Sequence, residues 1–147
     1  MAHFYTNLVY HIVYGTKDRR PLIDEAFRPR LYEYLGGTIR GLKGICLEVG
    51  GVQDHVHVLV KLSPTIAVSE LLEKLKANSS KWAKSVKLDF GWQAGYSAFT
   101  VSESQVGRVR DYIQNQAAHH RKSTFEEEIV ALLRAHGVPY DSKNLWI

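Results

Sequence analysis

The chain has 147 residues, of which 45% are apolar, 11% aromatic and 23% charged, and this composition predicts one globular domain over residues 1–147. It excludes a disordered chain, the single cysteine excludes an internal disulfide, and no apolar run is long enough to cross a membrane. We therefore expect a cytoplasmic protein, and its net charge of +4 and pI near 9.2 suit a polyanionic partner.

The first half of the chain predicts one helix among three strands. Residues 3–15 are rich in Tyr, Val and Ile and predict a long strand. Apolar residues then recur at helical spacing up to Leu42, in a helix that begins at Asp24 or Pro29 and contains the pair Gly36-Gly37. Residues 45–49 and the stretch that begins at Gln53 alternate as two strands, which the glycines at 50–51 should join in an antiparallel hairpin.

The second half predicts a helix, a strand and two more helices. A helix with an apolar stripe from Val68 to Trp82 precedes a Gly-punctuated loop at 90–95 and a strand over 96–101. Residues 104–120 predict a third helix, and the pair Ser123 and Glu126 predicts a capping box for a last one. The order is therefore β-α-β-β-α-β followed by two helices, an α+β fold of the ferredoxin-like type with a carboxyl-terminal helical extension.

Two histidines share one face of the third strand. Val56, Val58 and Val60 alternate with His55 and His57, so one face is apolar and the other carries two neighbouring imidazoles. Imidazoles two residues apart on a strand can both bind one cation if a further ligand comes from elsewhere. The alternative is a pair of half-buried, hydrogen-bonded histidines.

The helix at 104–120 carries a polar stripe beside its apolar one. Arg108, Tyr112, Gln116 and His119 lie about 100° around the helix from the apolar side. Since positions four apart share a helix face, Tyr112 and Gln116 should be neighbours. From the residues alone, Tyr112 is more often expected to be a tyrosine at the edge of the core than a functional one.

Taken together, the motifs resemble those of the single-tyrosine HUH transposases of the smallest bacterial insertion sequences and of the related REP-associated tyrosine transposases. Four segments, in the expected order, carry the resemblance: YHIVY at 10–14 with Lys17 and Arg20, DHVH at 54–57, WQAGYSAFTVS at 92–102, and YIQNQ at 112–116. Each motif alone is common, but the four in this order cover nearly the whole chain.

The resemblance implies that His55, His57 and Gln116 bind a divalent cation, Mg²⁺ or Mn²⁺, and that Tyr112 is the nucleophile. It implies cleavage and rejoining of single-stranded DNA at hairpin-marked ends through a 5′-phosphotyrosine. It also implies a homodimer, with a monomer as the alternative because REP-associated relatives can work as monomers, and leaves open whether Tyr112 meets its own His pair or that of a second copy. A Gln carbonyl four residues from the tyrosine suits this arrangement.

Basic side chains that could contact DNA follow the first strand and surround the proposed nucleophile. The candidates are Lys17, Arg19, Arg20, Arg108, Arg110, Arg121 and Lys122. The lysines of the second helix, in contrast, are expected to be a solvated surface.

Two smaller roles follow from sequence neighbours. Asp54 either makes the turn before the third strand or orients an imidazole, and the turn is favoured. No general base is evident beside Tyr112, although Arg108 would lower the pKa of its phenol.

Two other functions fit parts of the sequence. A replication initiator or relaxase shares the chemistry, but the short chain and the aromatic segment at 92–102 argue against it. A non-catalytic ferredoxin-like module that binds nucleic acid shares the fold and the charge, but it would not need Tyr112.

Overall fold

A computed structural model describes residues 2–146 and contains one four-stranded antiparallel sheet. The strands are β1 (Leu8–Gly15), β2 (Ile45–Gly51), β3 (His55–Leu62) and β4 (Ser97–Thr100), in the order β2-β3-β1-β4. The helices are α1 (Arg28–Gly41), α2 (Val68–Val86), α3 (Val106–Gln114), α4 (Gln116–His119) and α5 (Phe125–Ala135). This α+β arrangement is compatible with the ferredoxin-like succession that the sequence predicts, and the hairpin of β2 and β3 is confirmed.

Helices cover both faces of the sheet, which explains why β1 and β3 are buried on both sides. On one face, the even-numbered residues of β3 form the main core with α1 and α2. On the other, Val9 and Leu59 pack against Ile113 of α3, and Val13 packs against Phe125 of α5. The alternation predicted for β3 is therefore confirmed, with its histidines facing α3 to α5.

Strand β1 is shorter than the sequence predicts, because it begins at Leu8 and not at residue 3. Leu8 pairs with Leu62, the last residue of β3, so the residues before it have no strand to pair with. Phe4 and Tyr5 are accordingly 79% and 93% exposed. A β-prone composition does not make a strand where the neighbouring strand has ended.

Helix α1 passes without a break through Gly36 and Gly37 and begins at Arg28, with Pro29 in its first turn. Leu31, Leu35 and Ile39 on its inner side are fully buried. Packing of this stripe outweighs the helix propensity lost at the two glycines, about 1 kcal/mol each.

One lysine of α2 is not part of a solvated surface, contrary to expectation. The Lys76 ammonium donates hydrogen bonds to the carbonyl oxygens of Gln93, Ala94 and Gly95, at 2.9, 2.9 and 2.8 Å. The Gln93 side chain in turn accepts from the backbone N–H of Gly15 at 2.6 Å. Lys76 thus fixes the Gly-rich loop against the end of β1.

A glycine brings α3 close to the sheet. A Cβ atom on Gly50 of β2 would lie 2.5 Å from the carbonyl oxygen of Ile113. Only a residue without a side chain allows this approach. The position of α3, and of Tyr112 within it, therefore depends on Gly50.

Helix α5 begins one residue later than the predicted capping box. The Thr124 hydroxyl accepts from the Glu127 N–H at 3.1 Å, and the Glu127 carboxylate accepts from the Thr124 N–H at 3.0 Å. The prediction from Ser123 and Glu126 was wrong because threonine and glutamate with the same spacing stand one position further along.

Within residues 2–146, no helix combines the length and the hydrophobicity needed to cross a membrane.

The two candidate caps give a direct test of where α5 begins. Thr124→Ala should lower the free energy of unfolding by about 1 kcal/mol, because it removes the acceptor of the Glu127 N–H. Ser123→Ala should change it by less than about half of that, since the Ser123 hydroxyl makes no capping bond. Urea denaturation of both variants measures the difference, and a larger loss for Ser123→Ala would contradict the assigned cap.

Candidate metal and nucleophile site

The two histidines of β3 lie at the centre of a polar cluster beneath α3, α4 and α5. His55 and His57 are fully buried, and the neighbouring polar side chains of Gln116 and Glu128 are 1% and 2% exposed. Phe125 stacks on the His55 ring at a centroid distance of 3.8 Å and an interplanar angle of 4°. The sheet and the aromatic ring together leave the imidazoles little freedom to rotate.

Hydrogen bonds to the Nδ1 atom of each imidazole fix the orientation of the two rings relative to the cluster. The Asp54 carboxylate lies 2.8 Å from His55 Nδ1, and His11 Nε2 lies 2.8 Å from His57 Nδ1. Asp54 therefore orients an imidazole, the alternative that the sequence analysis did not favour. Both rings direct Nε2 into the same space.

The helix at 104–120 is not continuous. Helix α3 ends at Gln114, Asn115 has φ −100° and ψ 24°, and the short helix α4 begins at Gln116. The prediction of one regular helix was wrong at this point. The break still brings Gln116 into the cluster, with its Oε1 atom 3.1 Å from His55 Nε2.

Tyr112 lies beside the His pair of its own chain. Its ring centroid is 5.6 Å from that of His57, and its hydroxyl donates a hydrogen bond to Glu128 Oε2. Burial and, next, the hydrogen bond to the Glu128 carboxylate raise the pKa of the Tyr112 phenol, while a hydrogen bond with Gln116 opposes them. Tyr112 is therefore held as a phenol in this arrangement.

Sequence reasoning missed Glu128, the residue at the middle of the cluster. Its Oε1 atom lies 3.1 Å from His57 Nε2 and 3.2 Å from His55 Nε2. Its spacing gave a signal, since Glu128 is three residues after Phe125 and four before Leu132, on the inward stripe predicted for this helix.

His119 and His120 also join the cluster. His120 Nε2 is 3.0 Å from Gln116 Oε1 and 3.1 Å from Glu128 Oε1, and its Nδ1 atom donates to the Ser123 carbonyl oxygen at 2.9 Å. His119 Nε2 is 3.4 Å from Glu128 Oε2. The polar stripe of the sequence includes His119, but no pattern in the sequence indicated His120.

The donor set fits a divalent cation. The Asp54 carboxylate can only accept, so His55 Nδ1 carries a proton, and Nε2 faces oxygens of Gln116 and Glu128, where a second proton or a cation can lie. Lone pairs that face each other repel unless a proton or a cation lies between them. The ligand atoms of His55, His57 and Glu128 lie within 4.8 Å of one another, which is close enough for one ion.

The basic candidates divide between two cavities and the surface. Arg19, Arg121 and Lys122 line an open cavity of about 620 Å³ beside Asp54 and His120. Arg108 lines a second cavity, of about 440 Å³, that contains Tyr112, His11 and Glu128.

The other three basic candidates lie outside these cavities. Arg20 pairs with Asp89 at 3.7 Å, Lys17 is exposed, and Arg110 is half-buried.

Comparisons with known proteins place this site in context. Residues 4–116 match the family model described as IS200-like transposase. The chain is 30% identical to the transposase of insertion sequence IS200 from Salmonella typhimurium over 128 residues, 79% of this chain and 81% of that protein. It is 26% identical to the ISDra2 transposase TnpA of Deinococcus radiodurans over 124 residues, 74% of this chain and 84% of that protein.

Two solved structures share the fold. One is a protein from Deinococcus radiodurans that has been proposed to be a transposase, with a TM-score of 0.65, 22% identity and coverage of 79% of this chain and 95% of that one. The other is a REP-associated tyrosine transposase bound to a REP hairpin, with a TM-score of 0.63, 14% identity and coverage of 82% and 73%. The family match covers more than three quarters of the sequence, and the chain therefore belongs to the IS200-like transposase family.

Proposed function

We propose that this transposase cleaves and rejoins single-stranded DNA at hairpin-marked ends, with Tyr112 as the nucleophile. The observation that carries the proposal is the contact of the Tyr112 hydroxyl with the cluster built on His55 and His57. A tyrosine at the edge of the core would need neither a buried carboxylate nor two imidazoles beside its oxygen.

The groups that exchange bonds are the tyrosine and the DNA backbone. The Tyr112 oxygen attacks the phosphorus atom, the bond from phosphorus to the 3′ oxygen breaks, and the 3′ oxygen leaves as a hydroxyl after taking up a proton. The DNA end then carries a 5′-phosphotyrosine. Attack by a second 3′-hydroxyl on this phosphorus releases Tyr112 and restores the phosphodiester, so no nucleotide cofactor is consumed.

His55, His57 and Gln116 are the proposed ligands of Mg²⁺ or Mn²⁺. The bound ion supplies positive charge for the non-bridging phosphate oxygen and for the phenolate. Asp54 and His11 hold the two imidazoles so that Nε2 points at the ion site, which is the orienting role that such partners have in metal proteins.

Glu128 accepts the hydrogen bond of the Tyr112 phenol and so positions the nucleophile. Burial opposes ionisation, but hydrogen bonds from His55 and His57 hold the pKa of the Glu128 carboxyl well below its usual range. Glu128 is thus a carboxylate that can accept the phenol O–H. Its own charge disfavours the phenolate, so we expect little reaction without a cation.

The proposed DNA substrate follows from the relatives and from the position of the basic residues. One structural neighbour binds a REP hairpin, and we extend hairpin binding to this chain. Arg19, Arg121 and Lys122 line a cavity next to the site, where they can bind phosphates of the strand that leads to Tyr112. That the protein is a homodimer, and that it is located in the cytoplasm, both stay predictions from the sequence.

The covalent intermediate gives the first test. The protein incubated with end-labelled single-stranded hairpin DNA from beside its own gene and Mn²⁺ should form an adduct that survives boiling in detergent, seen on a denaturing gel. Tyr112→Phe and addition of EDTA should each abolish it, because the phenol oxygen or the cation is lost.

Tyr10→Phe serves as the matched control, since it removes a phenol from β1, outside the cluster, and should leave the adduct intact. An adduct of equal yield with Tyr112→Phe would contradict the proposal. Tight hairpin binding with no adduct in the wild type would favour a binding module.

A mixing experiment tests whether the site forms within one chain, as the contact of Tyr112 with its own cluster suggests. Tyr112→Phe and the double variant His55→Ala, His57→Ala should each be inactive, and a mixture of the two should remain inactive on the denaturing gel. Recovery of adduct in the mixture would mean that Tyr112 of one copy serves the histidines of another, and would contradict assembly within one chain.

A further inference from the structure

We propose that Glu128 of helix α5 is itself a ligand of the cation, beyond the three residues implied by the family resemblance, and that it holds the nucleophile next to the ion. The inference rests on the proposed function. Glu128 lies outside residues 4–116, the part of the chain that matches the family model. The proposed fourth ligand therefore comes from the carboxyl-terminal helical extension of this chain.

The first argument is the spacing of the donor atoms. Ligands that lie about 2.1 Å from one ion, at right angles to each other, are about 3.0 Å apart. The Glu128 Oε1 atom is 3.1 Å from His57 Nε2 and 3.2 Å from His55 Nε2, and Gln116 Oε1 is 3.1 Å from His55 Nε2. These three pairs have the separations of neighbouring ligands around one ion.

The second argument is that hydrogen bonds fix which atoms face the centre. The Gln116 amide nitrogen donates to Glu128 Oε2 at 3.0 Å, so the Gln116 carbonyl oxygen faces His55. Glu128 Oε2 also accepts from the Tyr112 hydroxyl. Glu128 Oε2 therefore faces Gln116 and Tyr112, while Oε1 faces the His pair and His120 Nε2.

The third argument is the chemistry of the ion. Two imidazoles and an amide favour borderline ions such as Zn²⁺, whereas carboxylate oxygen favours Mg²⁺ and Mn²⁺. A carboxylate from α5 would shift the site towards the ions that the family resemblance implies. These four protein residues would hold the ion, which could then also bind oxygens of the substrate.

As a consequence, one carboxylate both binds the ion and positions the nucleophile. Oε1 lies with the His pair, and Oε2 lies with Tyr112, so the phenol oxygen is held beside the cation site by a side chain of α5. The opposite arrangement is that Glu128 fills the ion's place and must be displaced by it. The two arrangements predict opposite effects of removing the charge.

Mn²⁺ binding measured by isothermal titration calorimetry at one fixed pH, without DNA, separates them. If Glu128 is a ligand, Glu128→Gln should weaken Mn²⁺ binding by at least about tenfold, because the amide is a poorer ligand than the carboxylate. Glu126→Gln removes an equal charge from the first turn of the same helix, where the side chain is exposed, and should bind Mn²⁺ as the wild type does. Tighter binding by Glu128→Gln would overturn the proposal in favour of displacement.

The same titrations distinguish failure of this inference from failure of the proposed function. Mn²⁺ binding that is lost in the double variant His55→Ala, His57→Ala but unchanged in Glu128→Gln would overturn the role of Glu128 alone. No binding by the wild type would overturn both. Circular dichroism checks that each variant is folded. If Glu128→Gln does not fold, Glu128→Asp takes its place, and a shortened carboxylate that bound Mn²⁺ as tightly as the wild type would overturn the proposal.

Discussion

The site depends on one electrostatic feature. Several buried side-chain atoms that can accept hydrogen bonds face one another and must share positive charge. His55 Nε2 lies 3.1 Å from Gln116 Oε1 and 3.2 Å from Glu128 Oε1, beneath three helices and away from water. Such an arrangement costs free energy unless positive charge compensates it, either as a proton on an imidazole or as a cation. A cation would satisfy these acceptors at once, which is the arrangement that the proposed metal site requires.

The fold supplies the rigidity that this feature needs. The alternation of β3 sends its valines into the main core and its histidines to the opposite face, so the core fixes the ligands. The close approach of Gly50 to Ile113 sets α3 against the sheet, one residue from Tyr112. The Phe125 ring on His55 ties α5 to the same site. Strand β3 and helices α3 and α5 are thus each anchored by an apolar or glycine contact next to their functional side chains.

Much of this was predictable from the sequence, and the exceptions have physical causes. Element order, the hairpin and the two faces of β3 follow from periodicity, and the polar stripe indicated that Tyr112 and Gln116 lie together. The start of β1, the helix break at Asn115 and the inward position of Glu128 depend on tertiary contacts that periodicity does not report. Lys76 was assigned to a solvated surface because a lysine on an amphipathic helix gives no sign that three carbonyl groups lie within its reach.

The most direct test of the account is the location of the ion. Crystals of the wild-type protein grown with Mn²⁺ should give an anomalous difference peak about 2.0–2.2 Å from His55 Nε2 and His57 Nε2, with an oxygen of Glu128 at a similar distance. Such a peak would establish that the acceptor cluster exists to hold a cation beside Tyr112. A peak elsewhere, or none at the histidines under saturating Mn²⁺, would contradict the central claim that this cluster is a metal centre.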